Sequence, residues 1–180
     1  MNARFVSFVL LAFIPISAAP QWKEGGTNVP DEPWRRSSGK FGAMLVVTDR
    51  ADEFLEAWSK PAAPGYVPSI KPSRTAKRQD VVDAILLFSQ CEPDDQGSCN
   101  CEADFTVLKP DGSIYATHPH AKVWKSQPPP GTNLQVADAR LRFRIEDTDQ
   151  LGTYRIQAVV RDLVAKSQVS LEWQIAVEPS

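Results

Sequence analysis

The sequence predicts an all-β protein: an antiparallel β-sandwich with one short helix and a flexible N-terminal arm. Two observations carry the prediction. The last third of the chain alternates apolar and polar residues with period two in three successive segments, and turn signals separate short apolar runs from residue 81 onward. In ARLRFRIE, Ala139, Leu141, Phe143 and Ile145 alternate with Arg140, Arg142, Arg144 and Glu146. In TYRIQAVVRD, Tyr154, Ile156, Ala158 and Val160 lie on one side and Arg155, Gln157 and Arg161 on the other, with Val159 the exception. In VSLEWQIAV, Val169, Leu171, Trp173, Ile175 and Val177 share a face. Strand following strand at short spacing, with one face on a core, is the pattern of an antiparallel sandwich.

The N-terminus reads differently. MNARFVSFVLLAFIPISAA has a positive charge at Arg4, an apolar run from Phe5 to Ile14 and a tail of small residues. This is the layout of a secretory signal peptide, and the run is too short to anchor in a bilayer, which takes about 20 apolar residues. Cleavage is expected after Ala18 or Ala19, with Ala18 favoured because Pro20 would otherwise follow the scissile bond. Residues 1–18 are thus read as signal, 19–40 as a flexible arm rich in Pro, Gly and charge, and 41–180 as one sandwich domain. Trp22 and Trp34 are odd for a free arm and are expected to pack on the chain's own surface.

Order is expected from FGAMLVVT, residues 41–48, which is apolar on both parities and so should be covered on both faces. Asp49 then reads as a helix cap, with Asp52 and Glu53 in the first turn and Phe54, Leu55 and Trp58 on one face. Residues 59–80 hold four prolines among basic residues and read as a long loop. VVDAILLFSQC contains a buried-type strand, and Pro110, Asp111 and Gly112 license a turn between two further strands.

All three cysteines fall in CEPDDQGSCNC, residues 91–101. Export would place them in an oxidising compartment, where a pair forms a disulfide. Loop entropy does not choose between partners: about 2.6 kcal/mol for bridging 91 to 99 against about 2.8 for 91 to 101. Alternation puts Cys101 with Ala103, Phe105 and Val107 on the core side, so Cys91–Cys99 is favoured as a staple with Cys101 a buried free thiol. Cys91–Cys101 is the close alternative.

The candidate chemistry is sparse. Cys99, Cys101, His118 and His120 form a ligand set suited to zinc or monovalent copper, but on a regular hairpin the two pairs would sit roughly 13 Å apart along the strands. No cofactor or resident metal is therefore expected. The two histidines bracket Pro119 in a polar stretch, without a nucleophile motif. Among 22 acidic residues only Asp83, before AILLF, has an apolar setting, and it reads as a strand start. Arg140, Arg142 and Arg144 would form a ladder on one strand face, joined by Arg155 if the two strands pair, giving a surface for an anion or partner. The formal charge of −2, or −3 once Arg4 is removed, gives no bulk electrostatic case for nucleic acid.

The junction EDTDQLGTYRIQAVV, residues 146–160, resembles the corner before the sixth strand of immunoglobulin-like domains. Asp149, Gly152 and Tyr154 match its acidic turn, glycine and inward tyrosine, and the resemblance implies that the Tyr154 hydroxyl ties back to the corner. The inter-sheet cysteine pair of antibody domains is absent. The chain is similar to sandwich modules in small exported proteins of Gram-negative bacteria, which bring no catalytic residues to carry over. The expected function is a non-enzymatic, monomeric binding module, periplasmic or secreted, with an envelope or extracellular protein or glycan as partner and no stable membrane insertion after signal removal. A metal-binding protein using Cys99, Cys101, His118 and His120, and an enzyme with an unrecognised carboxylate site, are the alternatives.

Overall fold

The computed structural model describes residues 22–24, 26–60, 68–130 and 134–179. The expected signal segment and its cleavage site lie outside the described residues. Two sheets pack face to face on a shared apolar core. The four-stranded sheet is built from β3 (Arg35–Ser38), β4 (Phe41–Thr48), β6 (Val81–Ser89) and β9 (Gln135–Arg144), in that order. The five-stranded sheet runs β5 (Thr75–Lys77), β11 (Ser167–Glu178), β10 (Gly152–Asp162), β7 (Cys99–Leu108), β8 (Ile114–Gln127). Every neighbouring pair is antiparallel except β5 and β11. The all-β reading therefore holds, with a single short helix among the described residues.

The three alternating segments become β9, β10 and β11, with the expected apolar rows inward. Tyr154, Phe105, Phe41 and Phe88 are the largest side chains fully enclosed between the sheets. Strand β4 is covered on both faces. Phe41, Ala43, Leu45 and Val47 face the inter-sheet core, while Val46 lies under the helix α1 (Ala51–Ser59). Strand β6 does the same, with Val82, Ala84, Leu86 and Phe88 inward and Ile85 and Leu87 under the helix. Phe54 and Ala51 are the helix's buried contacts, flanked by half-buried Leu55 and Trp58. Burying Phe54 alone contributes about 2 kcal/mol.

Three readings need correction. Part of the stretch read as an arm is sheet: β1 (Trp22–Glu24) pairs with β2 (Thr27–Val29), and β3 pairs with β4 through a two-residue turn whose Gly39 takes φ +61°. RRSS carries no apolar alternation because β3 is an edge strand, held by backbone pairing and by its neighbours' rings. Trp34 meets Trp173 edge-on at 6.2 Å, and the Arg35 guanidinium lies over Trp34 at 4.8 Å and Trp22 at 5.6 Å. The tryptophans thus pack on the chain's own surface. Asp49 does not cap the helix; its carboxylate accepts the Ser73 hydroxyl at 3.0 Å, and Arg50 stands at the cap without a side-chain bond. Within the expected loop 59–80, β5 adds three residues in parallel to the end of β11.

Strand β8 is an exposed edge. Its pairing with β7 shifts register four times, and His120 and Ser126 take left-handed φ values. Such irregularity breaks up an edge that would otherwise template another strand. No helix among the described residues is long and apolar enough to cross a membrane.

Candidate functional site

The cysteine cluster is a staple. Cys91 and Cys99 are bonded, with Cα atoms 6.0 Å apart, and Cys101 is free and buried. The intervening turn is organised by Asp94, whose Oδ1 accepts the Gln96 and Ser98 amides at 2.9 Å each. Burial, then the nearby Asp162 carboxylate, pushes the Cys101 thiol up to about 12. Asp162 itself is buried and accepts the amides of Glu92 at 2.7 Å, Val164 at 3.0 Å and Ala165 at 3.2 Å. It joins the cysteine turn to the β10–β11 hairpin.

The four residues of the metal alternative do not converge. Cys99 is oxidised and offers no thiolate. Cys101 pairs across the ladder with Trp124, whereas His118 pairs with Phe105 and stacks on its ring at 6.4 Å. His120 directs Nδ1 at Glu102 Oε1, 3.2 Å away. Among the described residues, no group of three or more His, Cys, Asp or Glu is arranged to hold a metal.

The arginine ladder divides. Strand β9 lies in the four-stranded sheet and β10 in the other, so Arg155 is parted from Arg140, Arg142 and Arg144. Arg140 and Arg142 are committed to an ion network beneath the helix. Arg142 Nε lies 3.0 Å and Arg140 Nε 3.3 Å from Asp83 Oδ1, and both guanidinium groups reach Asp52 in the first helical turn, at 2.8 and 2.7 Å. The Asp83 side chain is only 3% exposed. Asp52 is held below the usual carboxylate range by hydrogen bonds from Arg142 and then Arg140. Asp83 is thus the buried anion that ties β6 to β9, and Asp52 ties the helix to the same two arginines. Only exposed Arg144, 3.4 Å from Gln79, keeps a free aspect on this face.

The corner is also tied differently from the resemblance. The Tyr154 hydroxyl is buried and has no hydrogen-bond partner among the described residues. The tie comes from Tyr115 on β8, whose hydroxyl lies 2.6 Å from Asp149 Oδ2 and 2.5 Å from the Arg144 carbonyl. Asp149 Oδ2 also accepts the Glu146 amide at 2.6 Å, and Tyr115 meets Tyr154 edge-on at 5.6 Å. Gly152 takes φ +124° and lies against Pro110 of the β7–β8 turn, where a Cβ would come within 3.2 Å.

What remains open is the outer face of the five-stranded sheet. No helix covers it. At one side, residues 33–36 run past β11 and leave a groove of about 480 Å³ lined by Pro33, Arg36, Gln157, Val159, Ser170 and Glu172. Gln157 Nε2 donates to Glu172 Oε2 at 3.0 Å and Gln174 Nε2 to Oε1 at 3.2 Å. The first of these bonds is the main cause holding Glu172 below the usual carboxylate range. The Arg36 side chain, exposed at the rim, makes no hydrogen bond or ion pair among the described residues. Farther across the face, Arg161 reaches Asp104 at 2.6 Å and Glu102 at 3.5 Å. The groove supplies side-chain donors, acceptors, an unmet cation and one apolar spot, and its Ser170 hydroxyl has no histidine beside it. Its sequence signal was Val159, an apolar residue breaking the polar row of β10.

No family model and no curated sequence matches the chain. Among solved structures it is similar to a family 123 glycoside hydrolase from Clostridium perfringens, with TM-score 0.43 and 7% identity over 77% of this chain and 27% of that one. It is also similar to a Niemann-Pick type C2 protein from the Japanese carpenter ant, with TM-score 0.40 and 10% identity over 74% of this chain and 89% of that one. Both are distant likenesses in chain path, and the groove stands on its own geometry.

Proposed function

We propose that the chain is an exported, non-enzymatic interaction module of immunoglobulin-like type, acting in the periplasm or outside the cell, and that it holds a protein partner on the outer face of the five-stranded sheet. The observation that carries this reading is the groove beside β11, on a sheet face that no helix among the described residues covers. Its volume of about 480 Å³ falls in the range of ligand sites, and its polar groups suit the mixed donors and acceptors of a polypeptide. None of its lining residues is aromatic, which favours protein over glycan as the partner. The immunoglobulin-like type is supported by chain order: β6 to β7 and β9 to β10 cross between the sheets, and an acidic turn with glycine leads into inward Tyr154. Export is supported by the Cys91–Cys99 disulfide, which persists in oxidising compartments. Binding is favoured over the carboxylate-enzyme alternative because Asp83 is locked between two arginines and Glu172, the one carboxylate lining the groove, already accepts two amide bonds.

The test is a photo-crosslinking side chain placed at Val159 or, on the opposite side of the molecule, at Glu53 of the helix. The Val159 position should give a discrete adduct in producing cells that excess purified chain competes away, and the Glu53 position should not. Equal adducts at both positions, or none that is competed, would overturn the reading.

A further inference from the structure

The groove floor includes β11, and half of that strand is an open sheet edge. On one side β11 pairs with β10 along its whole length. On the other side, β5 covers only Ala176–Glu178. Two bonds reveal which backbone groups face that second side. The Ala176 amide donates to the Arg74 carbonyl at 2.9 Å, and the Glu172 amide donates to the Pro33 carbonyl at 2.7 Å. Backbone direction alternates with period two along a strand, so the amides and carbonyls of Ser170 and Gln168 face the same way. Neither residue has a backbone partner there among the described residues.

We propose that this edge takes an extended peptide as an added strand, paired with β11 across Gln168–Ser170, with an acidic side chain of the peptide meeting Arg36. The proposal rests on the groove being the binding site and names its recognition mode. Pro33 already makes one such bond to β11 at Glu172; the next edge-facing position, Ser170, lines the groove, and Gln168 continues the edge beyond it. Strand addition draws affinity from such backbone bonds and selectivity from neighbouring side chains. The charge preference follows from what is already satisfied: Glu172 accepts bonds from Gln157 and Gln174, whereas Arg36 at the rim has no partner. A second copy of this chain would bring another unmatched cation to the same edge.

The probe is a phage-displayed library of random dodecapeptides, selected on the full folded chain. Enriched sequences should carry at least one Asp or Glu within a stretch free of proline. A synthetic peptide of enriched sequence should lose about tenfold in affinity when alternate backbone nitrogens are methylated, the loss expected for one or two hydrogen bonds. Ser170→Pro, which removes an edge-facing amide along with the hydroxyl, should weaken binding comparably where Ser170→Ala does not, and Arg36→Glu should also weaken it. The methylated peptide leaves the protein untouched, so the test stands even where Ser170→Pro disturbs folding. Enriched peptides that ignore both backbone changes but are lost with Val159→Asp would overturn strand addition and leave the binding face standing. A selection that enriches nothing would overturn both, and concentration-dependent dimerisation blocked by Ser170→Pro would replace the peptide with a second copy.

Discussion

The two outer faces of the sandwich solve the same problem in opposite ways. Each sheet buries one face against the other and must do something with the second. On the four-stranded sheet, Val46, Ile85 and Leu87 are apolar, helix α1 lies over them, and Asp83 neutralises Arg140 and Arg142 at the margin. On the five-stranded sheet the outward row is Arg155, Gln157, Val159 and Arg161 with Ser170, Glu172 and Gln174, charges pair laterally, and water or a partner completes the surface. The first face is invested in stability. The second contributes little to it and is free to serve binding.

The largest effects should fall on the closed face. Asp83→Ala leaves two guanidinium groups without their buried anion and should cost about 3 kcal/mol in urea unfolding. Phe54→Ala should cost a similar amount, about 3 kcal/mol, by emptying the helix's main contact. A loss under about 1 kcal/mol for either would mean that the helix is not an integral cover. Next comes the disulfide at the end of the sandwich. Replacing Cys91 and Cys99 by Ser should lower stability by about 2.6 kcal/mol without altering which face is the more sensitive.

The pH response sharpens the contrast. Asp52 on the closed face and Asp104 and Glu172 on the open face all have carboxyls held below their ordinary values by hydrogen bonds, from Arg142, Arg161 and Gln157 respectively. Their unfolded forms titrate near pH 4, at about 3.9 for Asp and 4.3 for Glu. Below that pH the unfolded chain binds more protons than the folded one, so their contribution is present above about pH 4.5 and is lost as acid titrates the folded carboxylates. Cys101 gives the opposite limb. Its folded value, raised to about 12, makes stability present below about pH 8.5 and lost as pH rises toward the folded value. Cys101→Ala should flatten the alkaline limb between about pH 8.5 and 10, below the range where Tyr115 and Tyr154, also raised by burial, contribute, and leave the acid limb unchanged; an unchanged limb in that span would place the thiol in contact with solvent.

The smallest effect should come from the open face. Asp104→Ala removes an ion pair whose side chains are 32% and 27% exposed, and should cost less than about 1 kcal/mol. A loss comparable to that of Asp83→Ala would erase the distinction between the faces.

What the sequence made legible follows from range. Alternation in β9, β10 and β11 is local and marked the inward rows directly. The double apolar parity of residues 41–48 announced a cover on the second face, and the helix that provides it follows immediately in the chain. The role of Asp83 was hidden because its partners lie far along the chain on β9, Arg142 being 59 residues away. Tyr115 was hidden for the same reason, reaching Arg144 across 29 residues and Asp149 across 34. Edge strand β3 gave no pattern because backbone bonds hold it, and those are the same for every sequence. The groove needed β3, β10 and β11 brought together, and Val159 alone hinted at it.

Hydroxyl-radical footprinting of the intact folded chain tests the asymmetry most directly, because Val159, Ile85 and Leu87 all point outward from their sheets. Oxidation should be several-fold faster at Val159 than at Ile85 or Leu87, which are 1% and 4% exposed beneath the helix. Comparable oxidation at all three positions would show that the helix does not seal its face, and would contradict the division between a closed side and an open side.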